Sequence, residues 1–198
     1  MGKVYPGLDQ RLRSFIARQP MFFVATAPSV TAGGDGGHVN ISPKGYRDTF
    51  AVLGPRTVAY ADLTGSGAET VAHVRDNGRI TIMFCSFTSQ AKILRLYGRG
   101  RVALPGDADW PALASAFPAT GENGTTGGNG AQRRGQRAII VVEVDRIADS
   151  CGYGVPVMEL SHERNLLDQW SGNLSDDELD AYRAENNAVS IDGLPALS

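Results

Sequence analysis

Seven runs of strand-forming residues follow one another with little chain between them: MFFVATA (21–27), HVNIS (38–42), TFAVL (49–53), TVAYADL (57–63), RITIMFCSF (79–87), ILRLYGRGRVAL (93–104) and RAIIVVEVDRI (137–147). Each is short, β-branched or aromatic, and bounded by Gly, Pro, Asn or Asp, the residues that turn a chain. Strands this numerous and closely spaced predict an antiparallel barrel or sandwich, so the fold class is mainly β with peripheral helices. The run at 93–104 is the sharpest. Leu94, Leu96, Gly98, Gly100 and Val102 fall on one face and Arg95, Tyr97, Arg99 and Arg101 on the other, as the twofold period of a strand requires.

Helical spacing appears only at the margins. Leu8, Leu12, Phe15 and Ile16 before Pro20 predict an amphipathic helix over 8–19. Between two strands, Ser66 followed by Glu69 has capping-box spacing, Val71 and Val74 supply an apolar side, and Asn77-Gly78 is a natural stop. Another helix is expected at 109–117. The run 119–136 is almost without apolar residues and is expected to be a flexible Gly-rich loop. The tail offers SHERNLLDQW and then LSDDELDAYRAEN, which opens on a second capping box at Ser175 and Glu178. At 198 residues the chain is long enough for one sizeable core and short for two. We therefore expect one barrel domain over 1–149, with 150–198 a helical extension packed on it.

A net charge of −2 and a pI near 5.9 supply no field that would draw the chain to nucleic acid or an anionic membrane. No apolar run approaches a membrane span and the N-terminus has no signal-peptide core, so a cytoplasmic protein is expected. Cys85 and Cys151 lack metal or disulfide spacing and read as buried thiols. His38, His73 and His162 show no metal-binding motif, and no Ser sits in GxSxG. A catalyst built this way has to take its chemistry from a cofactor.

Three stretches invite a ligand. In LTGSG, glycines and successive amides opening onto a helix can cradle an anion with Thr64, Ser66 and Thr70 as hydroxyl donors, or can simply start the helix; Glu69 at that start opposes an anion. In NISPKG, Pro43 removes a ladder donor, so the strand is expected to end or bulge there and present Lys44, as an ordinary turn also would. The face bearing Arg95, Arg99 and Arg101 is either solvated, a dimer contact, or a site for an anionic ligand.

In order, the N-terminal helix, FFVATA, VNISPKG, TVAYADLTGSGAETVAHVRDNGRITIMF and LYGRGRV resemble the split-barrel flavoproteins of the pyridoxamine 5′-phosphate oxidase-like family, over roughly residues 8–147. The resemblance implies an antiparallel split barrel, a homodimer, and FMN in the groove between the two barrels. It places Ser42, Pro43 and Lys44 on the strand passing the flavin, and Tyr60, Ala61 and Asp62 along its ring. Thr64, Gly65 and Ser66, with Glu69 and Thr70, fall at the phosphate, and Arg95 reaches the flavin across the dimer. The vitamin B6 oxidases themselves carry an Arg-x-Val-Leu-Leu-Lys segment and an Arg-Lys pair at the helix start. Here NISPKG and Glu69-Thr70 stand instead, and the tail lacks their Arg-containing substrate segment. The expectation is therefore an FMN-dependent oxidoreductase of a long-tailed branch, acting on a small organic substrate, its flavin exchanging hydride or electrons with a nicotinamide coenzyme, that substrate or oxygen. The alternatives are a reductase using the deazaflavin coenzyme and a non-catalytic flavin or haem carrier.

Overall fold

The computed structural model describes residues 2–29, 34, 36–117 and 133–197. Its strands are β1 (Val4–Tyr5), β2 (Phe22–Thr26), β3 (Asn40–Lys44), β4 (Phe50–Val52), β5 (Thr57–Leu63), β6 (Arg79–Cys85), β7 (Ile93–Ala103) and β8 (Gln136–Ser150). They form one antiparallel sheet in the order β3-β2-β6-β7-β8-β5-β4, with β1 added to β8. The helices are α1 (Gln10–Ala17), α2 (Glu69–Asn77), α3 (Trp110–Ala114), α4 (Leu166–Gly172) and α5 (Asp176–Asn186). The fold is mainly antiparallel β, a curled sheet of split-barrel type with a few helices.

The inner face encloses the main core. Phe22, Phe50, Tyr60 and Phe84 meet there with ring centroids 5.0–5.7 Å apart, mostly edge to face, as ring quadrupoles prefer. Helix α1, capped by the Asp9 carboxylate on the Leu12 amide at 2.9 Å, adds Leu12, Phe15 and Ile16 to this core, and α2 adds Val71, Ala72 and Val74. Gly100 lets α2 come close, since a β-carbon there would press on Val74 and Ile80 at 3.2–3.4 Å. Gly78 ends α2 in the left-handed region at φ 72°, where glycine alone is unstrained. On the outer face, α3 brings Trp110 onto Ala59, Ala103, Ile139 and Val141, a second small core.

Several expectations change. The strand at 38–42 does not end or bulge at Pro43; β3 runs Asn40–Lys44, with Pro43 opposite Phe23. It is the terminal strand of the sheet, the one place where a missing amide costs no ladder bond. The helix expected over 8–19 occupies Gln10–Ala17, and that over 109–117 only Trp110–Ala114. The two-residue β1 lacks any period long enough to read. Cys85 is buried, but Cys151 is exposed, because it lies just past the end of β8. The loop expected at 119–136 falls largely outside the described residues. At its end, Arg133 binds Asp48 at 2.6 Å and also Asp168, and stacks on Tyr46, so this end is tied to α4.

Candidate functional site

Where β5 meets β8, the register slips: Asp62 pairs with Ala138 but Leu63 with Gln136. Arg137 is the extra residue of this bulge, and a bulge re-aims its side chain. Ile139 and Val141 face Trp110; Arg137 turns instead to Asp62, its Nε 2.8 Å from Oδ2. Lys44 reaches the other carboxylate oxygen from β3, with Nζ 3.0 Å from Oδ1. Asp62 is fully buried, and burial alone would raise its carboxyl; Lys44 and Arg137 overcome that and bring it down to about 2. Two cations on one carboxylate leave this buried cluster with an excess of positive charge.

Next to it, β3 points its polar residues inward. Ser42 donates to Asn40 Oδ1 at 3.1 Å, and Asn40 Nδ2 donates to the hydroxyls of Thr70 at 3.0 Å and Thr26 at 3.2 Å. Thr26 in turn meets Nδ1 of His73 at 3.0 Å. His73 is wholly buried and burial lowers its pKa, which fits a structural role in fastening α2 to β2. Tyr60 is fully buried too; burial, then the neighbouring Asp62 carboxylate, keeps its phenol protonated.

The loop between β5 and α2 is held from outside. The Thr64 amide and hydroxyl both donate to the Gly135 carbonyl, at 2.7 and 2.8 Å. The Asn187 side chain donates to the Gly65 carbonyl at 2.9 Å, and Arg137 Nη2 to the Gly67 carbonyl at 2.8 Å. Arg137 also donates to Asn187 Oδ1 at 2.6 Å, and Arg183 Nε to the Thr64 hydroxyl at 3.0 Å. Ser66 sits exposed at the tip.

The capping box expected from Ser66 and Glu69 is not formed. The residue before α2 is Ala68, and no side chain caps the helix. Glu69 instead lies against Gly67 and faces the Ile191 amide at 3.4 Å. Nor do Gly65 and Gly67 use the left-handed conformation, which among the described glycines is taken by Gly34, Gly37, Gly78, Gly106 and Gly193. The start of α2 is shaped by tertiary contacts, not by its own turn chemistry.

Of the residues singled out in the sequence, Ser42, Lys44, Tyr60, Asp62, Thr64, Gly65, Ser66, Glu69 and Thr70 are thus brought to one end of the sheet. Pro43 turns away to the exposed side of β3, and Ala61, alternating with Tyr60 and Asp62, lies on the opposite face of β5. Arg95 is not part of this group. It stands in the cross-strand row Pro43, Phe23, Met83, Arg95, about 14 Å from Pro43 at the usual strand spacing, and donates to Ser150 at 2.9 Å. Sequence reasoning missed Arg137, Arg183 and Asn187. The visible hint for the first was a lone Arg heading the apolar run RAIIVV; nothing local marks the other two.

The comparisons agree with this architecture. The family model described as pyridoxamine 5′-phosphate oxidase matches residues 8–151. The pyridoxamine 5′-phosphate oxidase family protein ustO of Aspergillus flavus is 38% identical over 207 residues, spanning 98% of this chain and 77% of its own. Among solved structures, a single-substitution variant of HupZ from Group A Streptococcus superposes with a TM-score of 0.50 at 24% identity, over 72% of this chain and 99% of that one. A pyridoxamine 5′-phosphate oxidase-related, FMN binding protein of Nostoc punctiforme gives 0.49 at 10% identity, over 78% and 89%. With its matched core, its curled antiparallel sheet and its departures from the B6-oxidase motifs, the chain belongs to the pyridoxamine 5′-phosphate oxidase family as a relative distinct from the vitamin B6 oxidase itself.

Proposed function

We propose that this protein is a homodimeric oxidoreductase that holds FMN between its two barrels and acts on a small organic substrate. The observation that carries the reading is the buried Lys44–Asp62–Arg137 cluster, whose surplus positive charge lies beside the uncapped start of α2 and the 64–67 loop. A phosphate is the ligand such a place stabilises, through cationic donors and helix amides together. The Gln136 side-chain amide is buried with no hydrogen-bond partner among the described residues, a donor that fits an anionic ligand. Glu69 works against a phosphate, and its turn toward Ile191 draws its charge to the tail.

Bound there, FMN would supply hydride or electron exchange with a nicotinamide coenzyme and the substrate. The chain's own part is to bind and orient: Lys44, Ser66 and the α2 amides at the phosphate, β3 and β5 backbone along the ring. The outer sheet face supports the dimer. Across β3, β2, β6 and β7 run the rows Pro43, Phe23, Met83, Arg95 and Ile41, Ala25, Thr81, Tyr97, largely apolar and partly or fully open to solvent. An apolar sheet face of this kind marks an association surface, and a second copy would bring its Arg95 where its own protomer cannot. The deazaflavin alternative is less favoured, because Arg99 and Arg101, which its longer anionic tail would need, are engaged by the Asn77 carbonyl and Asp109.

The test is the visible spectrum of the purified protein, with mass analysis of what heat releases. A flavin spectrum and the mass of FMN are expected; a colourless protein that takes up no flavin on titration would sink the assignment.

A further inference from the structure

The curled sheet ends on β4, a terminal strand of three residues paired with β5 alone among the described strands. Between β4, the start of β2 and the C-terminal half of α1 lies a cleft of about 290 Å³. Its floor is aromatic. Phe22, Phe50 and Phe84 line it, with ring centroids 5.0–5.7 Å apart; Phe22 and Phe84 are buried, while Phe50 is only partly so, and the cluster therefore has an open side. Val52 from β4 and Ile16 and Ala17 from α1 supply apolar walls. A dry cavity of about 150 Å³ with such a lining takes up benzene, so this one has room for a ring and a short polar group besides.

The charged residues that line the cleft are Arg13 and Arg47, and no carboxylate lines it. Arg13 donates its Nε to the Leu8 carbonyl at 3.0 Å, and its other guanidinium nitrogens have no partner among the described residues. Arg47 faces Glu163 at 3.9 Å, both partly exposed; an open pair at that distance contributes little, and a ligand carboxylate can replace it. Arg133 is not available in the same way, being matched by Asp48 and Asp168.

Tyr46, also on the lining, is the one non-glycine residue with positive φ among the described residues, at 61°. It is kept there by the Thr49 amide and hydroxyl, which donate to its carbonyl at 3.1 and 2.8 Å, and by Arg133 stacked 4.2 Å from its ring centre. A bulky residue in this region is strained, and strain of this kind gathers at ligand clamps.

We infer that this cleft is a binding site for a small carboxylic acid with an apolar, ring-sized body, the body resting on Phe22, Phe50 and Phe84 and the carboxylate held by Arg13 and Arg47. Guanidinium groups suit a carboxylate because their planar fork matches its two oxygens, and an aromatic floor rewards a ligand that brings apolar surface to it. The site does not use the Lys44–Asp62–Arg137 cluster, none of whose members lines it, so it stands apart from the flavin reading.

The experiment titrates phenylacetate, phenylacetamide and acetate by calorimetry into wild type, Arg13→Gln, Arg47→Gln and Ala17→Trp, with far-UV circular dichroism confirming that each is folded. The amide matches phenylacetate in size without its charge, and acetate has the charge without the ring. Ala17 is exposed at the end of α1, so an indole there fills the cleft from its rim and leaves the core alone. Wild type should bind phenylacetate about tenfold more tightly than the amide, the worth of a charged hydrogen bond, and acetate more weakly than either ring ligand. Each Gln variant should bring the ratio of phenylacetate to amide affinity below about threefold while changing the amide itself less than about twofold. Ala17→Trp should weaken both ring ligands about tenfold or more by occupying their place.

Equal affinity of wild type for phenylacetate and its amide would overturn the inference, as would no binding of either. A preference that survives both Gln variants, or binding that Ala17→Trp leaves intact, would place the ligand elsewhere and overturn it too. If Arg13→Gln does not fold, the exposed Arg47→Gln decides by the same ratio. A protein that carries no flavin yet shows the arginine-dependent preference keeps the cleft and loses the flavin reading; a flavoprotein without the preference does the reverse.

Discussion

Two helices of this protein start from the same local text. Ser66-Gly-Ala-Glu69 and Ser175-Asp-Asp-Glu178 both carry Ser three residues before Glu, yet only the second becomes a capping box. At α5 the Ser175 hydroxyl accepts from the Glu178 amide at 3.2 Å, and the Glu178 carboxylate accepts from the Ser175 amide at 2.7 Å. At α2 neither bond forms, and Ala68 takes the position before the helix. The difference lies in what surrounds them. The start of α5 is exposed, so local hydrogen bonds are the best available partners for its amides. The loop before α2 is gripped by Arg137, Asn187 and Gly135, and contacts with charged or buried groups outweigh a cap of about 1 kcal/mol. The start of α2 is thus left without a side-chain cap beside the Lys44–Asp62–Arg137 cluster.

The comparison breaks most severely at Arg137. Replacing Arg137 with Met removes the bonds to Gly67 and Asn187 and leaves Asp62 buried with Lys44 alone, a change expected to cost about 3–5 kcal/mol in urea unfolding. A cost below about 1 kcal/mol would mean that the α2 start is not held by these contacts.

Acid probes the same brace more gently. The folded pKa of Asp62, about 2, lies below its ordinary 3.8. Its stabilisation is thus complete above pH 4 and is lost as the pH falls toward 2, amounting to about 2 kcal/mol. Lys44→Met should shrink that loss, measured by urea unfolding from pH 5 to pH 2.5; an identical pH profile would detach Lys44 from the cluster.

The two serines give the finest contrast. Ser175→Ala should destabilise the protein by about 1 kcal/mol, the worth of a working cap. Ser66→Ala should stay within about 0.5 kcal/mol, as an exposed substitution away from any bond does, and should show itself in weaker FMN retention. Equal costs at the two positions would put a hidden cap at α2 and cancel the distinction.

How much was legible follows the same line. β5 occupies the whole of TVAYADL, and β7 buries Leu94 and Leu96 while leaving Tyr97, Arg99 and Arg101 exposed, because alternation and turn residues act over a few neighbours. The site emerged only in outline. Lys44 and Asp62 were singled out, but separately, as a surface cation and a ring neighbour. Their pairing depends on an edge strand that continues past Pro43, and the third member, Arg137, joins through a one-residue bulge; neither leaves a local mark. Arg183 and Asn187 lie 119 and 122 residues from Thr64 and Gly65, a separation no periodicity spans.

By itself, then, the sequence determined the strands, their antiparallel arrangement, the stop of α2 at Gly78 and the cap of α5, all of which arise from backbone preference and contacts between near neighbours. The tertiary structure decided which signals were overridden and what assembled around the α2 loop. It could do so because a buried carboxylate must find its cations and a buried carbonyl its donor wherever in the chain they lie.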